Sequence, residues 1–540
     1  MNRINKLIVA GILPLGMQAA WVRAENTVAP KPETGIPFAE SLHRADVAVA
    51  TMKDGQHEEY RDSLNGRDLL KMGIVAAGLA IAGQSLAGVP GQPASNAQSR
   101  SMAGARPNII LILTDDQGYG DLGRNGNKII QTPNLDKFHD EGVRFEDFHV
   151  SPTCSPTRSA IMSGRHEFKN GVTHTNHKRE RMSLKSMTVA GILKSAGYAT
   201  GVFGKWHLGD EDAYQPGRRG FDESYIHAGG QLRNYYNFEV KRNGKPDKAE
   251  GYCTDIFFGR AMKWIEAMKG KRPFFAYIAL NAPHYPLSVP EKYAKKYEGK
   301  VGKDTASFFG MISCIDENVG KLMAKLKELG IDDNTLVVFM NDNGGTAGCG
   351  VFNAGMRGTK TTASNGGTRA ISLWRWPGTI KPAACDKLTA HLDILPTFAE
   401  LAGAKVPEDV ARKLDGFSLV PLLKNPAAGW HDDRILFTHV GRWAVGAEPV
   451  KYGACSVRWK QYLQVRGKNQ WSLFDLKADP GEGKDIASQH KDVIENLDKA
   501  YDAWWSEILP CLENEQAGTN PPADQNDPPR KAQKAKSSPK

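Results

Sequence analysis

The run Asn108-Ile109-Ile110-Leu111-Ile112-Leu113 decides the fold of this chain. An aliphatic run of this length predicts a strand covered on both faces, as the strands of parallel sheets are. Similar runs recur at Ala199–Phe203, Phe274–Leu280 and Leu336–Met340. Helical patterns lie between them, at Thr188–Ala196, Asp255–Met268 and Phe308–Leu329. Strands that alternate with helices predict the α/β class, with a large, mostly parallel central sheet flanked by helices.

The pattern changes after about residue 430, where short strand-like pieces replace the long runs. They are Ile435–His439, Ala454–Arg458, Tyr462–Arg466 and Ser472–Asp475, followed by a helical stretch at Lys491–Ile508. We expect a smaller C-terminal antiparallel sheet packed with one helix. A chain of 540 residues holds roughly two to four units. We predict a main α/β domain at residues 106–428 and a C-terminal subdomain at residues 429–515.

The start of the chain predicts export. Arg3 and Lys6 precede an apolar run, Leu7–Met17, and Val22-Arg23-Ala24 offers a small-residue cleavage site. Residues 1–24 are therefore typical of a secretory signal peptide. A buried N-terminal helix is the alternative, although chain starts are rarely buried. We expect an exported protein, either periplasmic or extracellular.

A second apolar run, Met72–Val89, lies in an N-terminal extension (residues 25–105) that ends in a linker. It has about the length of a membrane span. It follows Gly66-Arg67-Asp68-Leu69-Leu70-Lys71, which looks like a twin-arginine export motif without its first arginine. An export signal behind an extension, a membrane anchor and a loose helix all stay open. At the other end, residues 516–540 have the composition of a disordered basic tail.

Composition narrows the class of function. The chain is 40% hydrophobic and 24% charged, which is ordinary for a soluble globular protein. Its formal net charge of +10, from 70 basic and 60 acidic residues, suits an anionic small-molecule substrate without requiring one. The sequence has no zinc-finger spacing and no RNA-binding aromatic signature, so we expect no nucleic-acid partner. Seven cysteines without a C-x-x-C pair are too few for a disulfide scaffold.

A polar cluster follows each of the four predicted strands, at the end where open α/β sheets form their sites. The clusters are Thr114-Asp115-Asp116-Gln117-Gly118, Gly204-Lys205-Trp206-His207, Asn281-Ala282-Pro283-His284 and Asn341-Asp342-Asn343-Gly344-Gly345. A single cluster is ordinarily a helix cap or a turn, but four at one sheet edge predict a functional site. Their side chains do two kinds of work. Oxygen ligands suited to Ca²⁺ or Mg²⁺ rather than zinc come from Asp115, Asp116, Asp342 and Asn343. Positive charge and proton transfer come from Lys205, His207 and His284.

The segment Cys154-Ser155-Pro156-Thr157-Arg158 predicts a nucleophile beside an anion hole. Ser155 followed by Pro156 indicates a helix start with a capping hydroxyl. Cys154 then lies at a helix N-terminus, where unpaired N–H groups attract an anion, and Arg158 returns to the same face one turn later. This arrangement suits attack on a sulfuryl or phosphoryl centre. A buried structural cysteine is the alternative.

These motifs resemble those of the sulfatase family, in the alkaline phosphatase superfamily. Cys154-x-Pro156-x-Arg158, followed by Ser163-Gly164-Arg165, is similar to the signature in which the cysteine is oxidised to formylglycine. The family's other site motifs resemble Thr114–Asp121, Gly204–Gly209, Ala282–His284, Asn341–Gly345 and Arg357–Lys360. The resemblance runs from about residue 106 to 510, which makes residues 106–428 a catalytic domain. One departure is Asn365-Gly366-Gly367-Thr368-Arg369, where members often carry Glu-Gly-Gly-x-Arg. That change spares the catalytic groups and bears on local support and substrate preference.

The resemblance implies a role for each residue. Cys154, as hydrated formylglycine, attacks sulfur, while one divalent cation, by family habit Ca²⁺, is held by Asp115, Asp116, Asp342 and Asn343. The aldehyde hydrate and the sulfate oxygens are stabilised by Arg158, Lys205 and Lys360. His284, with Lys360, protonates the departing alcohol. His207 then takes the proton of the second hydroxyl as sulfate leaves.

The resemblance also implies partners and leaves two rivals. It implies a formylglycine-generating maturation enzyme and a sulfate ester substrate, for which we prefer a sulfated carbohydrate. Within Gly229–Phe238, Tyr235 and Tyr236 either stack on a sugar ring or pack the loop. A phosphonate or phosphate-ester hydrolase of the same superfamily can share C-x-P-x-R. A non-catalytic binder of sulfated glycans would keep an unmodified Cys154, but it would not need paired acid and base histidines.

Overall fold

The computed structural model describes residues 101–467 and 469–517. The predicted signal peptide, the apolar run Met72–Val89 and residues 518–540 of the predicted tail lie outside the described residues. Within the described part, no helix is both long enough and apolar enough to cross a membrane.

Strands and helices alternate along most of the described chain. The strands are β1 (Asn108–Thr114), β2 (Val143–Phe145), β3 (Phe148–His149), β4 (Ala199–Lys205), β5 (Glu223–His227), β6 (Glu239–Arg242), β7 (Lys245–Lys248), β8 (Phe274–Ala279), β9 (Thr335–Asn341), β10 (Ser372–Arg375), β11 (Ala383–Cys385), β12 (Thr389–Ala390), β13 (Ile435–His439), β14 (Cys455–Trp459), β15 (Tyr462–Arg466) and β16 (Trp471–Asp475). The α-helices are α1 (Pro133–Glu141), α2 (Cys154–Ser163), α3 (Val189–Ser195), α4 (Cys253–Met268), α5 (Glu291–Ala294), α6 (Lys303–Glu328), α7 (Asn365–Thr368), α8 (Ile394–Ala402), α9 (Glu408–Ala411), α10 (Val420–Lys424) and α11 (Lys491–Ile508).

The central sheet has the strand order β11-β2-β10-β9-β1-β8-β4-β5-β6-β7. Five neighbouring strands, β9 to β5 in this order, are parallel. Antiparallel pairs add β10 on one side and β6 and β7 on the other. The prediction of an α/β fold with a large, mostly parallel sheet is therefore confirmed.

Helices cover both faces of the sheet, and this explains the uninterrupted aliphatic runs. Ile109, Leu111 and Leu113 of β1 pack in the core layer that contains α2, α3 and α8. Ile110 and Ile112 pack in the opposite layer, with α1, α4 and α6. Because successive side chains of a strand point to opposite faces, both sets must be apolar when both faces are covered.

A second, four-stranded antiparallel sheet with the order β13-β14-β15-β16 follows the main domain; we call it the C-terminal sheet. Helix α11 packs against it through an apolar stripe that includes Val493, Leu497, Tyr501, Trp504 and Ile508. The prediction of a small antiparallel sheet with one helix is confirmed.

Candidate active site

The four strand ends bring the predicted site residues together. Because β1, β4, β8 and β9 are parallel neighbours, the polar residues that follow them meet at one edge of the sheet. Eight of the ten predicted residues are buried: Asp115, Asp116, Cys154, Arg158, Lys205, His207, Asp342 and Asn343. His284 and Lys360 are partly exposed.

Cys154 is the first residue of helix α2, and Thr153 is the N-cap. The predicted cap by Ser155 is wrong: Ser155 lies inside the first turn, and its hydroxyl has no hydrogen-bond partner in the described chain. The Cys154 thiol donates to Asp115 Oδ1 at 3.2 Å, and Lys360 Nζ lies 3.5 Å from the sulfur. Burial, with the charge of Asp115, raises the pKa of Cys154 to about 12. A protonated thiol is a poor nucleophile, so the unmodified side chain is ill suited to attack.

Each carboxylate of the site is paired with a cation. Arg158 donates to Asp342 Oδ2 from Nη2 at 2.8 Å and from Nε at 3.2 Å. Lys205 Nζ lies 2.5 Å from Asp115 Oδ2, and Lys360 donates to Asp116 Oδ1. Burial opposes ionisation of Asp115, but the charges of Lys205, His284 and Arg158 outweigh it and hold the pKa of Asp115 well below its usual range.

The side chains gathered here could hold a metal ion, and the carboxylate and amide oxygens among them suit a hard divalent cation. Ligand atoms of Asp115, Asp116, Cys154 and His284 all lie within 4.8 Å of one another. Asn343 contributes a buried Oδ1 that has no hydrogen-bond partner among the described residues, and a buried acceptor of this kind is suited to bind an ion. Burial and the charge of Asp115 raise the pKa of Asp342, a sign of carboxylates crowded at close range. A cation such as Ca²⁺ or Mg²⁺ would relieve this repulsion.

The two histidines use different ring nitrogens in their contacts with the backbone. His207 Nε2 lies 2.8 Å from the carbonyl oxygen of Thr175, which makes it the donor and leaves Nδ1 as an acceptor. Within the described residues that Nδ1 is buried and unpartnered. Burial and the charge of Lys205 hold the pKa of His207 well below its usual value, so the ring is neutral. His284 instead uses Nδ1, 2.6 Å from the carbonyl oxygen of Tyr285, and its Nε2 lies 3.8 Å from Asp116 Oδ2.

Of the two alternatives for Tyr235 and Tyr236, stacking on a sugar or packing within the protein, the structure shows packing. Tyr235 is buried, and its hydroxyl donates to the carbonyl oxygens of Asn281 and His284 at 2.9 and 2.6 Å, so it packs the loop. Tyr236 packs against Tyr252, with ring centroids 5.1 Å apart. The exposed aromatic ring is that of Tyr285, which has 66% of its surface accessible. Sequence reasoning missed it, although its place directly after His284 was a usable signal.

Comparison with known proteins identifies the family. The sequence model of the family described as sulfatase matches residues 107–404, more than half of the chain. The chain belongs to the sulfatase family. Residues 364–504 of this sulfatase also match the C-terminal region described for N-sulphoglucosamine sulphohydrolase.

Known relatives cover most of the described chain. Arylsulfatase A of Bos taurus is 34% identical over 454 residues, which cover 72% of this sulfatase and 85% of the relative. N-acetylgalactosamine-6-sulfatase of Homo sapiens is 30% identical, and the aligned region covers 71% of this chain and 76% of the relative. The crystal structure of Ps i-CgsB in complex with k-i-k-neocarrahexaose is 32% identical and has a TM-score of 0.67, covering 76% and 94%. The protein is thus a sulfuric ester hydrolase, and its family implies a metal ion and a formylglycine.

Proposed function

We propose that this sulfatase removes sulfate from a sulfated carbohydrate, with Cys154 converted to formylglycine and one Ca²⁺ held by Asp115, Asp116, Asp342 and Asn343. The observation that carries the proposal is the place of Cys154. It begins helix α2, where free N–H groups favour an anion. It also lies within 3.5 Å of Lys360 Nζ and of an Asp115 oxygen.

The two groups supply distinct chemistry. A formylglycine hydrate at Cys154 would supply two hydroxyls, one as the nucleophile and one for the release of sulfate. A Ca²⁺ held by the four oxygen ligands would supply positive charge that lowers the pKa of a nearby hydroxyl and polarises sulfate oxygens. Lys360 Nζ, 3.5 Å from the Cys154 sulfur, stabilises negative charge at that position. His207 Nδ1, an open acceptor, takes a proton. His284, partly exposed and held through Nδ1, gives a proton from Nε2 to the departing alcohol.

Charge balance supports an anionic substrate. The carboxylates of Asp115, Asp116 and Asp342 are matched by Arg158, Lys205 and Lys360. A divalent cation added to this balanced set leaves a net positive site, which attracts a sulfate ester. Three features support a carbohydrate as the alcohol: the exposed Tyr285 ring beside His284, the neocarrahexaose bound by Ps i-CgsB and the predicted export. Export itself stays a prediction, because residues 1–24 lie outside the described residues.

The deciding experiment follows Cys154. We expect that co-expression with a formylglycine-generating enzyme converts Cys154, that peptide mass spectrometry detects the aldehyde, and that turnover of 4-nitrophenyl sulfate rises in proportion to the modified fraction. Cys154→Ala should abolish turnover with little change in melting temperature. Cys253→Ala is the matched control, because Cys253 is also a buried cysteine at a helix start but belongs to α4.

Two outcomes would contradict the proposal. Full-rate hydrolysis by entirely unmodified protein would exclude the formylglycine. Faster turnover of 4-nitrophenyl phosphate or a phosphonate ester than of the sulfate would favour the phosphoryl-transfer rival, because both substrates release the same alcohol.

A further inference from the structure

Glu482 is a buried acidic residue in the loop that follows β16 of the C-terminal sheet. Its exposed fraction is 2%, and its φ is 54°, in the left-handed region that non-glycine residues rarely occupy. Such strain persists where the surroundings fix the residue, and it concentrates near functional sites. The residue therefore calls for a role beyond that of a surface loop.

The carboxylate of Glu482 caps a helix of the main domain. Its Oε1 accepts a hydrogen bond from the backbone N–H of Asn365 at 2.7 Å. Asn365 is the first residue of α7, and the described residues show no side-chain cap from Ser364, the N-cap. A group from the C-terminal sheet thus satisfies a donor that the short helix cannot satisfy itself.

Helix α7 packs tightly against two loops, one that contains Gly344 and one that contains Arg357 and Gly358. Gly344 N donates to Gly367 O at 3.0 Å, and Gly366 N donates to Arg357 O at 2.7 Å. A Cβ added at Gly366 would lie 2.3 Å from a backbone oxygen of Gly358. Backbone packs directly on backbone, so the position of α7 sets the positions of both loops.

Those loops carry two residues of the candidate site. Asn343 directly precedes Gly344, which α7 holds. Lys360 is anchored through its own N–H to Gly345 O at 3.1 Å, and its Nζ reaches the Cys154 sulfur at 3.5 Å. The chain of contacts runs from Glu482 through α7 to both residues.

We propose that Glu482 is a positioning residue for catalysis, which fixes α7 and thereby the places of Lys360 and Asn343. The proposal rests on the proposed function, in which these two residues contact the reacting group and the cation. The loop after the C-terminal sheet thereby supports catalysis, because Glu482 in this loop supplies the cap that α7 lacks.

Substitutions of Glu482 by Gly, Ala and Gln test the proposal. Glu482→Gly removes the acceptor but suits the positive φ, so it should keep the melting temperature at or above that of Glu482→Ala. Glu482→Gln keeps an acceptor oxygen. Glu495→Ala, on the exposed face of α11, is the control for loss of a carboxylate from the same region.

We expect Glu482→Gly to lower kcat for 4-nitrophenyl sulfate by about tenfold or more with little change in KM, since small misplacements of catalytic groups cost such factors. Affinity for Ca²⁺ alone, measured by calorimetry, should fall with it. In Glu482→Gln, kcat and the affinity for Ca²⁺ should stay close to the wild-type values. Glu495→Ala should change neither of them.

A folded Glu482→Gly protein with wild-type kcat and wild-type Ca²⁺ affinity would overturn the proposal. So would a Glu482→Gln variant as impaired as Glu482→Gly, because the acceptor would then not be the cause. If modified wild-type protein hydrolyses no sulfate ester, the proposed function fails, and the Ca²⁺ affinities of the variants still decide the role of Glu482.

Discussion

Arg158 is fully buried, and its guanidinium is satisfied by the protein itself. It donates twice to Asp342, once to the carbonyl oxygen of Lys205 and once to that of Leu280. The sequence predicted that Arg158 would lie on the same face of the helix as Cys154. Its pairing with Asp342 was not predictable, because the two residues are 184 positions apart. In the structure Arg158 holds the Asp342 carboxylate in place and balances its charge.

We predict that Arg158→Ala lowers the free energy of unfolding by about 3–5 kcal/mol, because it strands the buried Asp342 carboxylate. Urea denaturation followed by fluorescence measures this. Arg412→Ala is the control: Arg412 pairs with Glu408 on the surface, where such pairs contribute about 0–1 kcal/mol. Equal, small losses in both variants would contradict a structural role for Arg158.

Substitution of Tyr285 tests recognition of the alcohol separately from the chemistry at sulfur. If its exposed ring stacks on a sugar, Tyr285→Ala should raise KM for a sulfated oligosaccharide by about tenfold, the value of a lost stacking contact of roughly 1.4 kcal/mol. Turnover of 4-nitrophenyl sulfate should change less. Tyr285→Phe, which keeps the ring, is the control and should resemble wild type. A loss of activity confined to 4-nitrophenyl sulfate would argue against stacking of Tyr285 on a sugar.

Among the elements, the long buried strands and the amphipathic helices were predictable, because burial on two faces or on one stripe imposes a period on the sequence. Short edge strands such as β2 and β11 carry three residues each and leave no period to detect. The start of α2 was misplaced because a Ser-Pro pair is a strong cap signal. In the structure the N-cap is Thr153, so Ser155 lies two residues inside the helix.

Gly230, in the loop between β5 and β6, leaves room for the His207 imidazole because it has no side chain. A Cβ added at Gly230 would lie 2.4 Å from His207 Nε2, the atom that also lies 2.8 Å from the Thr175 carbonyl oxygen. We predict that Gly230→Ala displaces the imidazole and lowers kcat by about tenfold to a hundredfold with a smaller change in KM. Gly217→Ala, where a Cβ meets nothing within 4 Å, is the control. Unchanged kcat in Gly230→Ala would show that His207 tolerates displacement.

At the scale of the whole molecule, the sequence predicted which residues would lie together at one sheet edge but not how they pair. The motifs named ten candidates that the structure brings together, since the strand ends of a parallel sheet share one edge. The pairing of Asp115 with Lys205 and of Asp116 with Lys360 depends on distances across 90 and 244 positions. The contribution of Glu482 comes from a loop after the C-terminal sheet, and no local pattern marks such a long-range cap.

We predict that a bound cation links the stability of the whole molecule to its activity. Three carboxylates crowd one buried volume, and a bound divalent cation stabilises the folded state alone, by about 2.7 kcal/mol at a hundredfold excess over Kd. We predict that elemental analysis finds one Ca²⁺ per chain and that a chelator lowers both the melting temperature and turnover. Added Ca²⁺ should restore both. Asp116→Ala should lose the cation and the response to chelator, whereas Asp433→Ala, whose side chain is 79% exposed, should keep them. Stoichiometric zinc, or full activity in metal-free protein, would refute the assignment, because an oxygen-only donor set disfavours zinc.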